Sequence, residues 1–145
     1  DLNEFYFYGA VDDVWVKPNG ELIISDVKAT SKKEFNWFET YKYDYAKGYK
    51  RQIEMYQWLF RKNGFKVSNE GFLVYFNGLR NEPMFNKQLN FELHLVRLEC
   101  NDEWVEETII EAKKLLEMND LPSASKKCST CSYLKERWKV KQQID

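Results

Sequence analysis

Three charged residues near the start of the chain are of types that can do chemistry together: Asp12, Asp26 and Lys28. Asp26 and Lys28 end the apolar stretch LIISDVK, which is typical of a buried strand. Burying a carboxylate or an amine is costly unless each group has a partner. The two residues therefore either leave the core where the strand ends, or are delivered by the strand to a functional site.

The turn before this strand determines which residue faces Asp26. In the segment KPNGE, a loop of residues 18–20 suits the preferences of Pro and Gly for successive turn positions. That register places Asp12 across from Asp26, with Lys28 on the same face of the sheet. A two-residue Asn-Gly turn would instead pair Asp13 with Asp26. The first register is favoured because it uses Pro18 naturally.

Two facing carboxylates repel each other unless a proton or a cation lies between them. A divalent cation is the simplest solution, and Mg²⁺ prefers oxygen ligands. The carbonyl of Val27, between Asp26 and Lys28, could supply a third protein oxygen. Lys28 would then orient or help to deprotonate a water activated by the cation. Such a set of groups suits hydrolysis of a phosphodiester.

The remaining sequence predicts the elements that position these residues. Strands are predicted, from β-branched and aromatic content, for FYFYGAVDDVWV, LIISDVK, EGFLVYFNG and QLNFELHLVRLEC. Helices are predicted, from helical spacing of apolar residues and from stop signals, for YAKGYKRQIEMYQWLFRKNG and for NDEWVEETIIEAKKLLEMND, with Asp102 as N-cap. ATSKKEFNWFETYKYD is predicted to be irregular. The order β-β-α-β-β-α indicates an α/β (α+β) fold with a mixed sheet and helices against it.

Length and composition indicate one globular domain over residues 1–145, with a basic tail at 123–145 that contains a Cys pair. Three cysteines are too few for a disulfide framework, so we expect a reducing, cytoplasmic location. No run is long and apolar enough to span a membrane, so no membrane partner is expected. Because the chain begins at Asp1 and a predicted strand follows at once, we expect an upstream segment to be missing.

The net charge of −1 is unevenly distributed. Residues 28–66 contain ten Lys or Arg against four acids, residues 126–141 contain six against one, and residues 99–120 contain eight acids against two lysines. Basic segments interleaved with aromatic residues fit a nucleic-acid surface. Solvated protein faces are the simpler interpretation, and on charge alone we prefer it.

Three short segments carry a family resemblance. GAVDD, IISDVKAT and QIEMY resemble, in order, the G-x-x-D, D-x-K and Q-x-x-x-Y motifs of the PD-(D/E)XK nuclease superfamily. The closest resemblance is to its RecB-like exonuclease branch, which includes the CRISPR-associated exonucleases. It covers residues 5–77 well and the tail loosely. It implies a restriction-endonuclease-like core and a metal-dependent DNA nuclease, of exonuclease type, in repair, recombination or defence.

The resemblance also implies roles for individual residues. Asp12 and Asp26 would bind Mg²⁺ or Mn²⁺ with the carbonyl of Val27, and Lys28 would be catalytic. Gln52 and Tyr56 would complete the catalytic set, near the metal or the DNA phosphate. A helical aromatic residue more often packs in the core, whereas a polar residue on the same stripe needs a partner. Family members usually add an upstream acid or histidine, which we expect in the missing segment.

The Cys128-x-x-Cys131 pair has a spacing typical of metal ligands. The RecB-like branch often holds an iron–sulfur cluster with three C-terminal cysteines and one upstream. Arg137 occupies the third position here, and two thiolates do not complete a four-ligand site. We therefore predict Mg²⁺ or Mn²⁺ as the cofactor and no iron–sulfur cluster.

Two further features have alternative interpretations. An aromatic cluster after the D-x-K strand is predicted to pack in the core, and stacking on unpaired bases is the alternative; it contains Trp37, Phe38, Tyr41, Tyr43 and Tyr45. His94 is predicted to be structural or exposed. The expected partner is DNA, single- or double-stranded, with a protein partner in a larger complex as a further option. The alternative function is an inactive nuclease-fold module that binds nucleic acid or a protein.

Overall fold

The computed structural model describes residues 6–81, 87–120 and 122–142. The chain divides into two compact units between Thr108 and Ile109. The first unit contains β1 (Asp13–Val16), β2 (Leu22–Thr30), α1 (Trp37–Tyr41), α2 (Asp44–Lys62), β3 (Val67–Gly78) and β4 (Phe91–Glu99). Helix α3 (Glu103–Glu117) crosses the division, and α4 (Ser129–Lys141) lies in the second unit. None of the helices in the described ranges is long and apolar enough to cross a membrane.

The predicted mixed sheet is confirmed. Its strand order is β1-β2-β3-β4, with β2 and β3 parallel and the two outer pairs antiparallel. Parallel neighbours need a crossover connection, and α2 provides it while packing against both strands. The core lies between the sheet and α2 and is built from Ile24, Ile53, Val67, Leu73, Tyr75, Val96, Leu98 and Cys100.

The hairpin has the register that a three-residue loop predicts. The N–H of Lys17 donates to the Glu21 carbonyl at 2.9 Å, and Gly20 turns the chain with a φ of 77°. Asp13 pairs with Ser25, so the alternative two-residue turn is excluded. Local turn chemistry was therefore sufficient to set the alignment of β1 with β2.

The first predicted strand is shorter than expected, because β1 begins only at Asp13. Phe5 lies outside the described residues, and residues 6–12 form no strand. The Phe7 ring meets the Trp58 ring of α2 edge-on, at 6.0 Å between centroids, whereas Tyr6 and Tyr8 are exposed. The aromatic content of this segment therefore predicted a strand where the chain instead packs one ring on α2.

Two helices were not predicted. Helix α1 lies in the segment expected to be irregular, and Asn36 caps it by accepting a hydrogen bond from the Glu39 N–H at 3.2 Å. Helix α4 lies in the basic tail and buries none of its residues. Because α4 has no buried face, its sequence lacks the helical spacing of apolar residues from which a helix could be predicted.

The predicted N-cap of α3 is only partly correct. Asp102 precedes the helix, but its carboxylate pairs with Arg61 of α2. The side chain of Asn101 accepts the hydrogen bond from the Glu103 N–H, at 3.0 Å. A tertiary ion pair has therefore displaced the local cap.

Candidate active site

The end of β2 delivers Asp26 to the site as a buried carboxylate, with 1% of the residue exposed. Lys28 lies two residues further on the same face, and its Nζ forms an ion pair with Asp26 Oδ2. That Oδ2 atom is buried and lacks a hydrogen bond of favourable geometry. Asp26 Oδ2 is therefore held by the charge of Lys28 and not by a well-directed hydrogen bond, and a carboxylate oxygen in this state can still serve as a cation ligand.

Asp12 reaches the same point from the other arm of the hairpin. The Val27 N–H donates to Asp12 Oδ2 at 2.8 Å. In a strand the N–H and carbonyl of one residue point to the same side, so the Val27 carbonyl also lies on the side of Asp12. Pairing of β1 with β2 extends no further than Asp13 and Ser25. The hairpin end therefore gathers two carboxylates and one carbonyl.

The surroundings of Asp26 disfavour the ionised form of its carboxyl group when no cation is bound. Burial raises the pKa of the Asp26 carboxyl, the neighbouring Lys28 lowers it in part, and the Asp12 carboxylate raises it further. The resulting pKa is above the ordinary aspartate value. A divalent cation between the two carboxylates would relieve both the burial and the repulsion.

Two residues of helix α2 contact the Lys28 ammonium. Lys28 Nζ donates to Gln52 Oε1 at 3.2 Å and lies 4.5 Å from the centroid of the Tyr49 ring. Gln52 in turn donates from Nε2 to the Tyr56 hydroxyl at 3.2 Å. The helical spacing of these residues places them on one stripe. The structure thus brings together all six residues predicted from the sequence, namely Asp12, Asp26, Val27, Lys28, Gln52 and Tyr56.

Two contributors to this geometry were missed by sequence reasoning. A Cβ added at Gly9 would lie 2.6 Å from Tyr56 Cε1, so only glycine lets the backbone pass so close to this ring. Tyr49, whose ring lies 4.5 Å from Lys28 Nζ, is the second. Its position three residues before Gln52 was the available signal that it faces the same site.

His94 and the three cysteines make contacts of their own. The His94 ring stacks on Phe35 with centroids 4.4 Å apart. At the N-terminus of α4, the N-cap residue Cys128 accepts a hydrogen bond on Sγ from the Cys131 N–H at 3.4 Å, which lowers the pKa of the Cys128 thiol. Burial raises the pKa of the Cys100 thiol to about 12. Across the described ranges, no three or more His, Cys, Asp or Glu side chains form a group that could hold a metal.

The aromatic cluster after β2 divides into packed and exposed members. Trp37 packs on Tyr75 with centroids 6.0 Å apart, as the core interpretation predicts. Phe38, Tyr41, Tyr43 and Tyr45 are exposed. The prediction of core packing is therefore wrong for these four side chains, because α1 and the start of α2 turn them away from the sheet.

One of three comparisons with known proteins finds a match. A family model of the PD-(D/E)XK nuclease superfamily matches residues 2–135, which include every residue of the cluster. No curated protein and no solved structure matches the chain. The mixed sheet with its flanking helices is consistent with a restriction-endonuclease-like fold. Nucleases of this superfamily generally use divalent metals. By its motifs, its fold and this match, the chain belongs to the PD-(D/E)XK nuclease superfamily.

Proposed function

We propose that this chain hydrolyses DNA phosphodiester bonds with Mg²⁺ or Mn²⁺, as an exonuclease of the RecB-like type. The observation that carries the proposal is the pair of carboxylates beside Lys28. Asp26 Oδ2 is buried without a good hydrogen bond, and the pKa of Asp26 is raised mainly by burial and further by the second carboxylate, Asp12. A structural ion pair would not place a second acid against the first.

Asp12, Asp26 and the Val27 carbonyl would hold the cation. When bound, the cation supplies Lewis-acid stabilisation of the charge that develops on the phosphoryl oxygens. Lys28 orients the attacking water and adds positive charge beside the reacting phosphate. Gln52 and the Tyr49 ring keep the Lys28 ammonium in place through the contacts at 3.2 and 4.5 Å. The Tyr56 hydroxyl fixes the Gln52 amide.

Two alanine variants test the proposal. Asp26→Ala and Lys28→Ala should abolish metal-dependent cleavage of DNA and retain the circular dichroism spectrum of the folded protein. Glu92→Ala is the control, because its carboxylate in β4 is largely exposed and is not among the site residues. Cleavage retained by both site variants in clean preparations would overturn the proposal.

Metal binding can be tested without any cleavage assay. A ligand that binds only the folded state raises the melting temperature. Millimolar Mg²⁺ or Mn²⁺ should therefore stabilise the parent and Glu92→Ala, but not Asp26→Ala. Equal shifts in all three proteins would mean that the metal binds elsewhere.

One observation favours a second candidate function. The described residues offer only two carboxylates at the site and no third His, Cys, Asp or Glu. A nuclease-fold module that binds DNA or a protein partner without cutting would fit this reduced set. It predicts salt-dependent DNA binding with no cleavage in any divalent metal. For either function we propose a cytoplasmic role in DNA repair, recombination or defence.

A further inference from the structure

A row of tyrosine rings leads outward from the active-site lysine. Lys28 Nζ lies 4.5 Å from the Tyr49 ring centroid, and the Tyr49 ring meets Tyr45 edge-on at 5.8 Å. Tyr45 stacks on Tyr43 at 5.7 Å, with the ring planes only 17° apart. We call Tyr43, Tyr45 and Tyr49 the tyrosine ladder. It connects the candidate site to the surface by successive ring contacts.

The outer part of the ladder is not needed for the core. Tyr43 is 60% exposed and Tyr45 is 49% exposed, whereas the core of this unit lies between α2 and the sheet. Aromatic side chains left in water forgo most of the stabilisation that burial would provide. Two adjacent exposed rings with parallel planes therefore present a ready stacking surface.

The charges around the ladder complement a phosphate backbone. Lys42 and Lys47 flank its outer tyrosines, and among the described residues each pairs with one exposed acid of the same helical segment: Glu39 at 2.6 Å and Asp44 at 3.5 Å. Exposed ion pairs of this kind contribute little stability and exchange readily. Both lysines can therefore turn to phosphates beside the stacked bases.

A glycine inside α2 leaves open space beside the ladder. Gly48 lies one residue before Tyr49, and a Cβ added there would meet no atom within 4 Å. Packing therefore does not require glycine at this helical position, although glycine costs helix stability there. Close approach by a bound strand would account for the missing side chain.

We propose that the tyrosine ladder binds an unpaired DNA strand and leads its end to Asp26 and Lys28, so that the substrate of this site is single-stranded DNA. The inference rests on the proposed nuclease function. Bases in a duplex already stack on their neighbours, so their faces are covered. Exposed aromatic rings stack on bases only where those bases are unpaired, and such stacking tolerates any sequence.

Fluorescence anisotropy tests the inference in EDTA, where metal-dependent cleavage cannot interfere. The probes are a labelled single-stranded oligonucleotide and the duplex of the same sequence. We expect the parent to prefer the single strand. Tyr43→Leu combined with Tyr45→Leu should weaken that binding on the order of 10-fold for each ring and leave duplex binding unchanged. Tyr43→Phe with Tyr45→Phe should retain the affinity, because the rings remain.

Phe65→Leu is the matched control: Phe65 is 52% exposed and packs on Phe60 near the other end of α2. It should bind like the parent, and thermal melting should show every variant folded. Equal binding of both probes by the parent, binding of neither, or equal losses in the Leu and control variants would each overturn the inference. Cleavage with Mg²⁺ is measured separately. A parent that cleaves without preferring the single strand overturns only the ladder, and one that prefers it without cleaving overturns only the nuclease function.

Discussion

Two buried carboxylates lie in the first unit of the molecule, and their surroundings differ. Glu54, which is 5% exposed, accepts hydrogen bonds from the Asn101 N–H at 3.0 Å and from Trp104 Nε1 at 2.9 Å. Asp26, which is 1% exposed, has the Lys28 ion pair and an Oδ2 atom without a good hydrogen bond. Both acids are buried, but they differ in hydrogen bonding: each oxygen of Glu54 accepts a hydrogen bond, whereas Asp26 Oδ2 does not.

The difference separates a structural acid from a candidate catalytic one. Glu54 ties α2 to the start of α3, because each of its oxygens has a neutral donor and Lys50 lies 3.7 Å away. The pKa of Asp26 is instead raised, chiefly by burial and in addition by the nearby Asp12 carboxylate. Folding stability is served by complete hydrogen bonding, whereas a metal site needs free oxygens. Burial alone would not have distinguished the two residues.

The largest expected effect separates activity from stability at Asp26. Asp26→Asn should lower metal-dependent cleavage on the order of 1000-fold or more, because it removes the charge that holds the cation.

The folded-state pKa of Asp26 is raised, so the native state binds more protons than the unfolded state between the two pKa values. Stability contributed by this group is therefore lost as pH rises through that window.

An asparagine has no charge to bury, so the metal-free Asp26→Asn protein should be at least as stable as the parent at neutral pH. Urea unfolding without metal measures this directly. A clear loss of stability would mean that Asp26 is a structural acid like Glu54, and the comparison would fail.

At Glu54 we expect a loss of stability without a loss of metal binding. Glu54→Ala should reduce the free energy of unfolding by about 3 kcal/mol, because it removes two charge-assisted hydrogen bonds and leaves buried donors without partners. The rise in melting temperature with Mn²⁺ should remain. Glu92→Ala, at a largely exposed carboxylate, is the control. Loss of the metal response in a folded Glu54→Ala protein would contradict a purely structural role.

Two glycines extend the comparison to the backbone. A Cβ at Gly71 would lie 2.5 Å from Ile53 Cγ2 in the core, so Gly71→Ala should cost about 1–3 kcal/mol of stability. Gly9→Ala would press at 2.6 Å on the end of the Tyr56 ring, which can turn away, at a cost of roughly 1 kcal/mol or less. It should still lower cleavage, since the Tyr56 hydroxyl would leave Gln52. In urea unfolding, Gly71→Ala should lose more stability than Gly9→Ala. In cleavage assays, Gly9→Ala should lose more activity than Gly71→Ala.

The smallest expected effect has the opposite sign. Gly48→Ala should increase the free energy of unfolding by about 0.5–1 kcal/mol, because alanine is the better helix former and the added methyl meets no atom. The same variant should bind single-stranded DNA less tightly than the parent. Thermal unfolding and anisotropy measure the two effects. A variant that is more stable and binds equally well would remove Gly48 from the proposed strand path.

Several features could be predicted from local sequence rules alone. The Pro-Asn-Gly loop determined the hairpin register, and the alternation of strand residues determined that Asp26 and Lys28 share a face. Helical periodicity placed Gln52 and Tyr56 on one stripe of α2. These features depend on turn chemistry and on the periods of strand and helix, which act over a few residues.

Only the tertiary structure decided which of these faces meet. Lys28 and Gln52 are 24 residues apart in the chain, and Gly9 and Tyr56 are further apart still. Periodicity identifies a face but not its partner, because the partner depends on how the β2-α2-β3 crossover packs. For the same reason, the sequence pattern alone did not separate Trp37, which packs inward, from Tyr43, which faces solvent.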